Sequence, residues 1–148
     1  MKLSTSVIKR PKVETKAFTF TDPANADCSF TLDLRKLTAM EQVAAADAAR
    51  DYAVKYVQGL GEKDTDGYTP PEPFPPIDGQ PVYLSDSVCQ VAAFAEYAQT
   101  AHDDNRYTFE ELVAFMTLNA IANALATAAV WVQTPSGVTD DPKATSGE

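Results

Sequence analysis

The side chains with the widest chemical repertoire lie together in one short segment. His102 is the only histidine of the chain, and Asp103 and Asp104 follow it directly. Such a trio could form a metal corner or an acid–base pair. Zinc usually takes several His or Cys ligands and a catalytic triad needs a positioned nucleophile, and the pattern supplies neither. The segment is therefore interpreted as a polar loop that joins two helices.

Other candidate motifs are equally incomplete. Residues 64–67 (DTDG) match a fragment of a calcium loop, but the full spacing of oxygen ligands is absent. Cys28 and Cys89 stand 61 positions apart outside any CxxC spacing, so two reduced, buried thiols are favoured over a disulfide. No glycine-rich phosphate loop follows a strand. The sequence thus predicts no enzyme activity, no metal site and no cofactor.

The charges are unevenly distributed over the 148 residues. The net charge is −9, but residues 1–16, the basic arm, carry +4, so the remaining 132 residues carry −13. An acidic body repels phosphates, which disfavours nucleic-acid binding by the folded part. The basic arm is interpreted as a solvated extension, with contact to an acidic partner as the alternative. Because no signal peptide is visible, we expect the protein in the cytoplasm.

Residues 17–37 alternate in the manner of a β-hairpin. Two runs, 17–21 (AFTFT) and 30–34 (FTLDL), flank the turn-forming segment 22–27. The alternation places Phe18 and Phe20 on one face, and Phe30, Leu32 and Leu34 on another. Because two strands are only marginally stable alone, this hairpin should rest on the helices that follow.

Three helices are predicted after the hairpin. The first begins at the capping box of Thr38 and Glu41 and runs to Gln58. Its expected apolar side comprises Val43, Ala46, Ala53, Val54 and Val57. The second covers roughly 87–101 after caps at 85–87, and the third runs from the capping box at Thr108 to about Val132. Six of the ten prolines fall in 59–84, which is predicted to be an extended, exposed spacer.

These elements define a fold class of α+β, mainly α. We expect an N-terminal β-hairpin packed on a small bundle of three helices, with a Pro-rich loop between the first two. The predicted domain organisation is a basic arm (1–16), one globular domain (17–134, with the Pro-rich loop at 59–84) and a flexible tail (135–148).

The third helix carries the candidate binding site. No residue from Leu112 to Val132 is charged, a span of 21 positions. A membrane span is disfavoured because asparagines interrupt the segment and basic residues do not flank it. The helix is either the central core of a monomer or partly covered by another protein. The candidate partner-binding residues are Leu118, Asn119, Ile121, Asn123, Leu125 and Trp131.

The order of elements resembles the tail assembly chaperones of long-tailed bacteriophages. The resemblance lies in the DP-containing turn, the segment FTLDLRKLTAMEQ and the capped helix after it, from Phe18 to about Val57. The rest of the chain matches in size, acidity and expected helical content. The family implies a chaperone that coats the tape measure protein, with a longer, frameshifted form that recruits tail tube subunits in the infected host cell. A homo-oligomer stays an open alternative.

A second hypothesis is a structural virion protein. A head–tail connector or tail component would remain in the particle and bind its neighbours through the basic arm and helices. The arm and the proline-rich spacer suit that role, since extended segments lace subunits together.

Overall fold

A computed structural model describes residues 13–135 and shows a mixed α+β fold. Its elements are β1 (Thr15–Asp22), β2 (Asn25–Arg35), α1 (Ala39–Ala53), a π-helical turn (Val54–Gln58), α2 (Asp86–Ala98), a 3-10 turn (Asp103–Asn105), α3 (Phe109–Met116) and α4 (Asn119–Gln133). Most of the predicted basic arm (residues 1–12) and nearly all of the predicted tail (residues 136–148) lie outside the described residues.

The two strands form an antiparallel hairpin, as the alternation predicts. β1 begins at Thr15, so the last two positions of the predicted arm belong to the sheet. Phe20 stands opposite Phe30, and Phe18 stands opposite Leu32. The apolar residues of both strands therefore share one face, rather than lying on separate faces, because residues directly opposite each other project from the same side of a sheet.

Helix α1 confirms the predicted start and part of the predicted face, since Ala53 is buried, but the prediction for Val43 is wrong. The Thr38 hydroxyl accepts from the Glu41 amide at 3.2 Å, and the Glu41 carboxylate accepts from the Thr38 amide at 3.1 Å. The buried stripe consists of Ala45, Ala49 and Ala53, whereas Val43 is 63% exposed. Small side chains allow α1 to approach α2 closely. The alanine side of α1 therefore packs inward, and the side that carries Val43 faces solvent.

The predicted third helix is wrong as one continuous element. It divides into α3 and α4, since Leu118 has an extended backbone with φ −93° and ψ 117°. The Thr117 hydroxyl donates to the Ala114 carbonyl at 2.7 Å, and the Leu118 amide donates to the Phe115 carbonyl at 3.1 Å. These tight local bonds replace the ladder of an α-helix and end α3. The described residues therefore form four α-helices, not three.

The core lies between the hairpin's apolar face and the helices. Phe30 stacks on Phe20 with ring centroids 5.0 Å apart and on Phe115 with centroids 4.1 Å apart. Two positions before Phe20, Trp131 of α4 meets Phe18 edge to face at 5.3 Å. Side chains of α3 and α4 thus cover the apolar face of the hairpin around Phe18 and Phe30.

The capping box makes a pH-dependent contribution to stability. Burial alone raises the pKa of Glu41, but the hydrogen bond from the Thr38 amide and the contact with Arg35 outweigh it, so this pKa lies below its ordinary value of 4.5. The ionised carboxylate of Glu41 therefore stabilises the fold above pH 4.5. This contribution is lost as the pH falls through the pKa of Glu41 in the folded protein. Glu41→Gln should cost about 0.5–1 kcal/mol at neutral pH.

The measurement is urea unfolding of both proteins at a series of pH values. We expect the difference between Glu41→Gln and the parent to shrink as the pH drops below 4.5. Glu62→Gln, in an exposed loop, serves as the control because it removes a carboxylate that caps no helix. A constant difference across the series would contradict the assigned role of the carboxylate.

Candidate functional site

The outward face of α4 presents an uncharged surface. Asn119, Asn123 and Thr127 recur every four residues and are all exposed, so these polar side chains form a stripe that faces solvent. Val130 continues it and is 65% exposed. The Thr127 hydroxyl is engaged locally, donating to the Asn123 carbonyl at 3.1 Å. We call these four residues the α4 stripe.

The six predicted binding residues do not form one surface. Asn119 and Asn123 lie in the α4 stripe, while Leu118 and Trp131 are half-buried. Ile121 and Leu125 are only 1% and 0% exposed. In this structure the last two belong to the chain's own core and are not available to a partner, because the opposite face of the same helix packs inward.

A buried lysine anchors the end of α4. Lys36 is only 8% exposed, and its Nζ donates to the Thr134 carbonyl at 3.2 Å. The same ammonium lies 4.8 Å from the centroid of the Trp131 ring. A cation suits the free carbonyls at a helix C-terminus. The Leu37 amide adds a bond to the Val132 carbonyl at 2.9 Å. These contacts hold α4, and with it the α4 stripe, against the start of α1.

A second candidate surface surrounds the π-helical turn, which the sequence did not predict. The Gly59 amide donates to the Val54 carbonyl at 2.8 Å and closes the wide turn. Gly59 has φ +72°, and a Cβ there would stand 2.2 Å from the Thr69 carbonyl oxygen. Glycine is therefore required both by the backbone conformation and by the close approach of the Pro-rich loop. Such turns occur frequently at functional sites.

The Pro-rich loop and the π-helical turn line a cavity of about 440 Å³ that is open to solvent. Its walls are mostly apolar and aromatic: Tyr56, Val57, Glu72, Pro73, Phe74, Pro81, Val82, Tyr83 and Leu84. Phe74 is only 7% exposed and meets Tyr56 edge to face at 5.2 Å. The burial of Phe74 thus departs from the prediction that the Pro-rich loop is exposed. The signal that could have revealed it is the single aromatic residue inside PPEPFPP.

A polar network beneath this surface joins three helices. The Tyr52 hydroxyl donates to Oε1 of Glu96 at 2.8 Å, and the Phe109 amide donates to Oε2 at 2.9 Å. Burial, followed by the hydrogen bond to Glu96, holds the pKa of Tyr52 above its usual range. Because both carboxylate oxygens accept from groups of this chain, the network connects α1, α2 and the start of α3.

The remaining candidates for chemistry stand apart from one another. His102 is exposed, and among residues 13–135 no three His, Cys, Asp or Glu side chains come together in a group that could hold a metal ion. Cys28 is half-buried and Cys89 is buried, and both are free thiols. Burial raises the pKa of Cys89 to about 11, so this thiol stays protonated at neutral pH.

Two findings bear on partners and relatives. Within the described part of the chain, no helix has both the length and the apolar character needed to cross a membrane. Comparison with protein-family models, with curated proteins and with solved structures finds no significant match to this chain.

Proposed function

We propose that this protein is a tail assembly chaperone of a long-tailed bacteriophage. It would bind the tape measure protein in the cytoplasm of the infected host cell and help to recruit tail tube subunits. The observation that carries the proposal is the α4 stripe, an exposed helix face without charge on an otherwise acidic protein. The resemblance of 30–42 (FTLDLRKLTAMEQ) to that family supplies the identity of the client.

The α4 stripe suits a helical client. Asparagine and threonine side chains can hydrogen-bond across a helix–helix contact, and Val130 supplies apolar area. Exposed Ala120 adjoins the stripe and lets a second backbone approach closely. The charge of −13 on residues 17–148 keeps a complex soluble while this face is occupied.

The first test places charges on the α4 stripe. We expect the double variant Asn123→Arg, Val130→Arg to bind the co-expressed tape measure protein at least about tenfold more weakly, because a charge buried in a helix contact lacks a partner. Both positions are exposed, so the fold should persist. Pull-down and titration of the purified pair measure binding, and circular dichroism checks the fold.

The matched control is the double variant Ser87→Arg, Gln90→Arg, which adds the same two charges at exposed positions of α2. It should bind the client as the parent does. Equal binding by the α4 double variant and the parent would remove the α4 stripe from the proposal.

The virion hypothesis makes a different statement about the finished particle. A chaperone should be absent from purified virions, and its gene should lie between the tube and tape measure genes with a slippery sequence near its end. Mass spectrometry that finds this chain in many copies per particle would instead identify a structural component.

A further inference from the structure

The Pro-rich loop folds back on itself at a tight turn. The Ile77 amide donates to the Gln80 carbonyl at 3.0 Å, and the Gln80 amide donates to the Ile77 carbonyl at 2.9 Å. Between them, Asp78 and Gly79 have φ +50° and +76°. Two successive positive φ angles and the sequence Asp-Gly are typical of a type I′ hairpin turn. Segments before and after this turn both line the cavity of about 440 Å³ between the Pro-rich loop and the π-helical turn, which we call the loop groove.

Hydrogen bonds hold the loop against the π-helical turn. The Glu72 amide donates to the Lys55 carbonyl at 2.7 Å. At the start of α2, Oδ1 of Asp86 accepts from the Gln58 side chain at 3.0 Å. Prolines in both segments further restrict the backbone, since the proline ring fixes φ. Because these features fix its walls, the loop groove is formed before a partner binds, and binding loses little free energy in ordering it.

The loop groove combines apolar side chains with an exposed aromatic ring. Phe74 is buried, and Val57, Val82 and Leu84 are half-buried. Tyr83, by contrast, is 87% exposed although it lines the same cavity. A tyrosine ring packs on apolar groups while its hydroxyl forms a hydrogen bond. This surface therefore suits a segment that offers both apolar side chains and free carbonyl groups.

The charge around the loop groove is negative. The Pro-rich loop carries five acidic side chains and one lysine, and all six are exposed. Glu72 lines the groove, and Asp78 lies in the turn between its two segments. Lys55 offsets only part of this charge, with its Nζ 4.0 Å from Oε2 of Glu72. A partner segment with arginine or lysine is complementary to this surface, whereas an acidic segment is repelled.

We propose that the loop groove binds a proline-rich segment of a partner protein, in a polyproline II helix with an arginine or lysine beside it. This helix has no internal hydrogen bonds, so its carbonyls are free to accept from the Tyr83 hydroxyl. Proline has no amide and therefore requires no acceptor from the apolar wall. Aromatic-lined grooves bind such segments at a low entropic cost because the helix is already formed. This inference does not depend on the proposed function, which rests on the α4 stripe.

The Pro-rich loop of a second copy fits the groove poorly. Its proline-rich segment 70–76 (PPEPFPP) carries Glu72 and no basic residue, so its insertion would place like charges together. The same segment would also have to withdraw Phe74 from its contact with the Tyr56 ring. The groove is therefore matched to a basic proline-rich segment rather than to a copy of its own loop.

Fluorescence anisotropy of labelled peptides with the full-length protein tests the proposal. The probe is an oligoproline peptide that ends in a pair of arginines. One control peptide replaces the arginines with glutamates, and the other keeps the arginines but replaces every proline with alanine. We expect the probe to bind at least about tenfold more tightly than either control, because only the probe combines the helix with the charge. Equal binding of the two arginine peptides, or no binding of the probe, would overturn the proposal.

Variants of exposed positions locate the binding surface. Tyr83→Ala should weaken binding of the probe about tenfold, and circular dichroism checks that the fold persists. The matched control is Leu60→Ala, which removes an exposed apolar side chain of the same loop outside the groove and should bind as the parent does. Asp78→Asn removes one charge, keeps a residue that tolerates positive φ, and should weaken binding about two- to fivefold. Unchanged binding by Tyr83→Ala would contradict the assigned surface.

Sedimentation velocity distinguishes a second copy of the chain from a partner segment. The parent and Tyr83→Ala should have the same oligomeric state over a range of protein concentrations, since the groove is assigned to another protein. A dimer of the parent that Tyr83→Ala dissociates would assign the groove to a second copy and overturn the proposal.

Discussion

Replacing Phe109 with Ala should lower the free energy of unfolding by about 3–5 kcal/mol, the cost of removing a fully buried aromatic ring. Phe109 is 0% exposed, and its ring stacks on Tyr52 with centroids 3.7 Å apart and an interplanar angle of 8°. The Tyr56 ring lies parallel to it at 6.1 Å. The substitution leaves a cavity where α1 and the π-helical turn meet α3. Urea unfolding followed by circular dichroism measures the loss.

Tyr83→Ala provides the control, since this aromatic side chain is 87% exposed. It should change the free energy of unfolding by no more than about 0.5 kcal/mol. Similar losses for the two variants would mean that the stack on Phe109 does not contribute as its burial indicates. A cooperative single transition in the parent is the condition for comparing them.

Replacing Glu96 with Ala should cost about 2–4 kcal/mol. The change removes the acceptor of both the Tyr52 hydroxyl and the Phe109 amide, and these donors lie in part-buried positions where water replaces the carboxylate poorly. Leaving a buried donor without an acceptor costs more free energy than a satisfied hydrogen bond contributes to stability. The same unfolding experiment measures it.

Two further variants separate the hydrogen bonds from general packing. Glu96→Gln keeps one carbonyl oxygen and should lose less stability than Glu96→Ala. Tyr52→Phe removes only the hydroxyl, and combining it with Glu96→Ala should give a coupling energy of about 1 kcal/mol or more. Additive losses would show that the Tyr52–Glu96 bond at 2.8 Å contributes nothing.

The sequence predicted the elements whose signals are local. The capping boxes at Thr38 and Thr108 are present as expected, since each needs only a Thr and a Glu three positions later. The hairpin is present because alternation and a turn-forming centre lie within 20 residues. For the candidate site, spacing placed Asn119 and Asn123 on one side of their helix, and the structure shows that this side is exposed.

Other features depended on contacts between distant segments. Whether Val43 or Ala45 turned inward was decided by the close approach of α2, which no periodicity within α1 records. Phe74 lines the cavity because its ring packs against that of Tyr56, which lies 18 positions earlier in the chain. The interior positions of Ile121 and Leu125 likewise required knowing which side of α4 meets the core.

Sequence by itself thus determined the starts of α1 and α3 at their capping boxes, which charges gather in the arm and which segment lacks charge. Tertiary structure decided which residues of α1 and α4 pack inward and which reach solvent. The break between α3 and α4 and the π-helical turn are closed by local hydrogen bonds, but no pattern in the sequence indicated them. The physical reason is range. Caps and turns are satisfied by neighbours within a few residues, whereas burial depends on partners that only folding brings together.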